Sequence, residues 1–75
     1  MTHADTLDAT GLLCPLPVLK ARKRLLALKT GQTLLMQADD PAAIVDVPHF
    51  CNESGYDLVS QSDEAGVLTF VIRKT

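Results

Sequence analysis

Six short segments in the order β-α-β-α-β-β predict an α+β two-layer sandwich: a mixed four-stranded sheet with two helices on one face. Three observations carry this reading. Helical periodicity occurs twice, each time with a single apolar face. A strand-like run precedes each helical segment, and two more follow the second with a turn signal between them. Amphipathic helices must bury their apolar faces, and the simplest arrangement sets both on the same side of one sheet.

Leu7 and Ala9 alternate with Thr6, Asp8 and Thr10 as a first strand, and Gly11 signals a turn. From Pro17 to Lys29 the pattern is helical, with Val18, Ala21, Leu25 and Leu28 on one face and Lys20, Lys23, Arg24 and Ala27 opposite. Gly31 suits the left-handed position after that helix. Gln32 to Ala38 is a central strand with apolar residues on both faces: Leu34, Leu35 and Met36.

Asp39-Asp40-Pro41 reads as an aspartate cap with proline at the first helical position. Ile44, Val47 and Cys51 share the apolar face that follows, flanked by Ala43 and Phe50. Pro48 kinks this segment or splits it in two, and Gly55 ends it. Tyr56 to Ser62 and Val67 to Lys74 are strands, with Asp63-Glu64-Ala65-Gly66 as the hairpin loop. The first half is a β-α-β unit, so its strands pair in parallel, whereas the terminal hairpin is antiparallel.

Seventy-five residues allow one domain, taken as 1–75 with a disordered tail over 1–5. The apolar fraction is 47% and mean hydropathy is +0.15, so the chain folds, around a thin core. Aromatics are 4% of residues, which argues against base-stacking single-strand binding. A pI near 5.4 disfavours direct DNA binding, which needs broad phosphate neutralisation. Apolar runs are too short to span a membrane, and Met1-Thr2-His3-Ala4-Asp5 does not read as a secretion signal, so the expected location is cytoplasmic. Charge is unevenly spread: residues 1–38 sum to +3 and residues 39–75 to −5.

Two cysteines do not make a disulfide framework, and nothing in the spacing pairs Cys14 with Cys51. Cys14 lies in Gly11-Leu12-Leu13-Cys14-Pro15-Leu16-Pro17, between the first strand and the first helix. A residue before proline is extended, which sets Cys14 at or just before the N-cap. Unpaired amides and the helix dipole favour an anion there, so its thiol is expected to ionise more readily than usual. Pro15 and Pro17 stiffen the approach and remove two donors, leaving Leu16 N–H for the sulfur unless Leu16 is itself the cap. Cys51 shares an apolar face and reads as a core residue.

His49 falls on a polar face with Asp46 and Glu53 and reads as a surface histidine, and His3 lies in the expected tail. No metal-ligand spacing and no phosphate loop appear, and no cofactor is expected. Lys20, Lys23 and Arg24 are either a solvated helix face or a docking patch for an acidic partner, and Arg22 is expected to lay its stem toward the sheet edge.

Leu7-Asp8-Ala9, the run Gly11 to Pro17, Gly31-Gln32-Thr33-Leu34, Asp39-Asp40-Pro41, Asp46-Val47-Pro48 with Phe50-Cys51, and Ile72-Arg73-Lys74 together resemble the TusA/SirA family of small sulfur carriers. The likeness spans nearly the whole chain. Leu16 departs from it, since many members carry Glu there, a difference that bears on partner choice rather than sulfur chemistry. The resemblance implies a sandwich like the C-terminal domain of translation initiation factor three. It also implies a sulfurtransferase that takes sulfane sulfur from a cysteine desulfurase as a persulfide on Cys14. The sulfur would pass to a downstream relay protein, toward 2-thiouridine in tRNA, or into sulfur oxidation or molybdenum-cofactor supply. A monomer is expected. A non-catalytic regulatory module, with Cys14-Pro15-Leu16-Pro17 as a stiff turn, is the alternative from another class.

Overall fold

A computed structural model describes residues 3–75 of the protein. The elements are β1 (Asp5–Asp8), α1 (Leu16–Leu26), β2 (Thr33–Ala38), α2 (Ala43–Ser54), β3 (Asp57–Glu64) and β4 (Val67–Arg73), in the expected order. They form one sheet of strand order β1-β2-β4-β3. β1 runs parallel to β2, and β4 is antiparallel to both its neighbours, so the sheet is mixed as expected. α1 packs over β1 and β2, and α2 over β3 and β4.

The core lies between helices and sheet. Leu7, Leu34, Met36, Ala38, Leu68, Phe70 and Ile72 come from the strands, and Ala21, Leu25, Ala43, Val47, Phe50 and Cys51 from the helices. Along β2 and β4 every second residue is buried, the period of a sheet with one covered face. β2 is central, but its second face is not covered: Leu35 is only half-buried because no layer packs on that side. β3 is an exposed edge strand, with a register shift between Leu58 and Ser60 that interrupts its ladder to β4.

Several boundaries differ from the sequence reading, each for a local reason. Residues 3–5 are not a free tail: Ala4 N–H donates to Thr33 O at 2.9 Å, and Asp5 pairs with Leu34, because β2 offers an edge to extend along. Residues 1 and 2 lie outside the described residues. α1 ends at Leu26 rather than Lys29, where Leu28 N–H turns back to Leu25 O and Lys74 Nζ reaches the same carbonyl at 2.8 Å. A cation at that end also suits the helix dipole. Gly31 has φ +92° in the following turn, not at the helix cap.

α2 begins at Ala43, after a tight turn rather than at Pro41, and Asp40 caps that turn by accepting Ala42 N–H at 3.0 Å. The helix is continuous through Pro48. Proline removes the bond to Ile44 O, but Ile44 is 46% exposed, so water can replace the lost donor. That exposure is also a correction: Ala43 takes the place on the buried face expected for Ile44. Gly55 closes α2 at φ 78°, a left-handed cap. The β3–β4 hairpin is tighter than expected, because Ala65 and Gly66, with φ of 53° and 87°, make a two-residue turn of the kind that suits sheet twist.

Candidate functional site

Parallel pairing of β1 and β2 brings the loops after both strands to the same end of the sheet, where α/β folds commonly build sites. The first loop carries Cys14 and the second carries Asp39 and Asp40. Gly11 N–H donates to Asp39 Oδ1 at 2.9 Å, and Cys14 N–H donates to Asp40 Oδ2 at 2.7 Å. The first strand's exit is fastened separately: Asp8 Oδ1 accepts both the N–H and the hydroxyl of Thr10. The cysteine is therefore exposed, yet its backbone is tied at both ends of the loop.

The Cys14–Pro15 peptide bond is cis, and Leu16 N–H donates to Leu13 O at 2.9 Å. Pro15 is the N-cap of α1, which places Cys14 one residue ahead of it. Leu16 is the first helical residue and not the cap. Its amide is spent within the turn and does not serve the sulfur, contrary to expectation. Pro17 is buried within the first turn of α1, while Leu13 and Leu16, at 71% and 45% exposed, flank the thiol with apolar surface.

What faces the sulfur comes from α2. Asp46 lines the same groove as the thiol. Its carboxylate, an acceptor for the thiol proton, holds the thiol pKa above its ordinary value, helped by desolvation and by the negative charges of Asp46 and Asp40. The expected easing of ionisation is thus reversed. A helix start does favour an anion, but two neighbouring carboxylates oppose it. Asp40 shifts the other way: the amides of Cys14 and Ala42 stabilise its anion and lower its pKa.

Beside the thiol is a groove of about 330 Å³, lined by Cys14, Pro15, Val18, Asp46, His49, Phe50 and Glu53. The polar face read for His49 with Asp46 and Glu53 is real, but it fronts this groove instead of open solvent alone. Sequence reasoning missed Asp40 and Asp46 as neighbours of Cys14. The available signal was the β-α-β unit, since parallel strands put Asp39-Asp40 next to the Gly11–Cys14 loop.

Lys20 and Lys23 are exposed and line a second groove of about 350 Å³ with Leu7, Arg24 and Ala27. Arg24 is not a free docking cation. Its Nη1 donates to Asp5 Oδ1 at 3.1 Å and to Thr6 O at 3.2 Å, because α1 crosses β1 at this point. Arg24, not the exposed Arg22, follows the sheet edge. Cys51 is buried, and burial pushes its thiol up to about 11. Both cysteines are free. Among the described residues no cluster of His, Cys, Asp or Glu is arranged to hold a metal ion, and no helix is long and apolar enough to cross a membrane.

The family model described as sulfurtransferase TusA matches residues 5–74, from the first strand to the end of the sheet. The chain belongs to the TusA sulfurtransferase family. A solved SirA-like protein from Desulfitobacterium hafniense has the same fold at a TM-score of 0.82 and 27% identity, over 92% of this chain and 95% of that one. Family membership gives the chain a role in sulfur transfer, as a sulfur carrier in general terms. The match covers both loops of the candidate site and α2, and so Cys14, Asp40 and Asp46.

Proposed function

We propose that Cys14 accepts one sulfane sulfur from a cysteine desulfurase as a persulfide and passes it to a downstream relay protein, on a route toward 2-thiouridine in tRNA. The observation that carries this reading is one exposed thiol on a backbone pinned by Asp39 and Asp40, while the second cysteine is sealed in the core. A reactive atom presented at a tip can meet two partners in turn, which a buried one cannot. Family membership supports the sulfur chemistry.

In the transfer, Cys14 Sγ attacks the terminal sulfur of the donor's persulfide. An S–S bond forms on Cys14 as the donor's S–S bond breaks. The donor departs as a thiolate and takes up the proton that the Cys14 thiol releases. Two thiol-level species exchange one sulfane sulfur, so neither an outside oxidant nor a cofactor enters the balance. Transient docking of an acidic partner face is supplied by Lys20 and Lys23, which are exposed and line the second groove. Arg24 helps to hold α1 to β1 instead.

The test is sulfur loading read by intact mass. Desulfurase with cysteine should add the mass of one sulfur atom to the native chain and to Cys51→Ser, but not to Cys14→Ser. Loading of the Cys14→Ser chain equal to the native would defeat the assignment. The route is read separately, from 2-thiouridine content of tRNA in cells that carry the Cys14→Ser chain as their sole copy; unchanged content would send the sulfur elsewhere.

A further inference from the structure

The groove beside Cys14 is lined by both apolar and acidic side chains. Pro15, Val18 and Phe50 supply apolar lining, and Asp46, His49 and Glu53 from α2 supply the polar lining. Asp46 and Glu53 are seven residues apart on α2, two helical turns, so both carboxylates project along one face. Among the described residues the ion pairs are Arg24–Asp5 and Arg73–Asp57, and neither involves these two acids. At about 330 Å³ the groove sits at the small end of ligand sites, room for one long side chain rather than a large cofactor.

We infer that this groove receives a basic side chain, lysine or arginine, which a sulfur-exchanging partner carries beside its own sulfur atom. The inference rests on the reading of Cys14 as the sulfur-bearing atom. Charge complementarity selects the occupant. An aliphatic stem covers Val18 and Phe50 while its cation reaches Asp46 and Glu53, which keeps apolar and charged groups each in a suitable place. An apolar guest would desolvate the Asp46 carboxylate without a partner, and an anionic guest would meet two like charges.

Docking has a chemical consequence. The Asp46 carboxylate favours the protonated thiol, with Asp40 adding negative charge from the turn before α2. A cation placed against Asp46 competes for that carboxylate and favours the thiolate. Cys14 is then quiet in the free protein and becomes reactive when the right partner fills the groove. The groups facing the sulfur in this scheme are Asp40, Asp46, His49 and Glu53.

Small symmetric disulfides make the test independent of any partner protein. Exchange of Cys14 is timed at about pH 8 with cystamine, which is cationic, with bis(2-hydroxyethyl) disulfide, which is neutral, and with dithiodiglycolate, which is anionic. The cationic probe should react roughly tenfold faster than the neutral one relative to the same pair on a free cysteine peptide, and the anionic probe slower than both. The ratio cancels differences in thiolate fraction. The preference should collapse in Asp46→Asn/Glu53→Gln, two substitutions that keep side-chain size at surface positions. A native chain with no charge order, or a double variant that retains it, overturns the inference. The native comparison stands even if the double variant fails to fold. Sulfur loading by desulfurase reads the parent proposal by itself: intact loading without charge order sinks only the groove, and lost loading sinks the role of Cys14.

Discussion

Replacing each cysteine by serine separates the chain's chemistry from its stability. Cys51 is 2% exposed and packs with Val47, Phe50 and the sheet. Serine keeps the shape but adds a hydroxyl to a core in which, among the described residues, no polar side chain is buried. Burying a hydroxyl without a full partner costs about 1–3 kcal/mol, less if it bonds back to the carbonyl one turn earlier. In a domain of this size about 1 kcal/mol lowers Tm by roughly 4–8 °C, so Cys51→Ser should melt about 4 °C or more below the native chain, and by less only to the extent that the hydroxyl bonds back to the helix. Cys14 is exposed, and its side chain supports no packing, so Cys14→Ser should melt within about 2 °C of native. Differential scanning calorimetry gives the melts, and iodoacetamide labelling with intact mass gives the reactivity. With its thiol near 11, Cys51 is ionised in only about one molecule in a thousand at pH 8, before its burial is counted. Native chain and Cys51→Ser should therefore take one label, and folded Cys14→Ser none. The reasoning fails if Cys14→Ser is the destabilised variant, or if folded Cys14→Ser labels as fast as native.

Three further outcomes follow from the site and the hairpin. Asp46→Asn removes the negative charge that favours the protonated Cys14 thiol and leaves only a weaker acceptor, so the midpoint of its alkylation pH profile should fall; an unmoved midpoint would deny Asp46 that part. Asp40→Asn weakens the acceptor for Cys14 N–H, and hydrogen exchange at this amide should quicken while core amides stay protected. The sign with pH is fixed by the Asp40 pKa, which folding lowers. Its contribution to stability is present above the unfolded carboxyl value near ~3.9 and is lost as pH falls through the folded one, and Asp40→Asn should flatten that part of the acid profile. Ala65→Asn should stabilise the chain by roughly 0.5–1 kcal/mol and raise Tm by about 2–8 °C, since alanine is strained at φ 53° and asparagine tolerates the left-handed region. A lower Tm would show that the turn is not the strained point.

Amino-acid order alone determined the six elements, their class, and which cysteine faces out. Periodicity depends on neighbours a few residues apart, so Leu7 and Leu25 could be assigned to the core without coordinates. Proline next to Cys14 and aliphatic residues around Cys51 separated the two thiols by the same local logic. Tertiary structure decided what surrounds the sulfur. Asp40 and Asp46 stand 26 and 32 positions along the chain from Cys14, and only parallel pairing of β1 with β2 brings them to it. That proximity reversed the expected direction of the thiol's ionisation, because electrostatics follows distance in space and not along the sequence. Continuity of α2 through Pro48 and the bonding of Arg24 to β1 were settled in the same way, by which backbone groups packing leaves open to water and which it brings within reach.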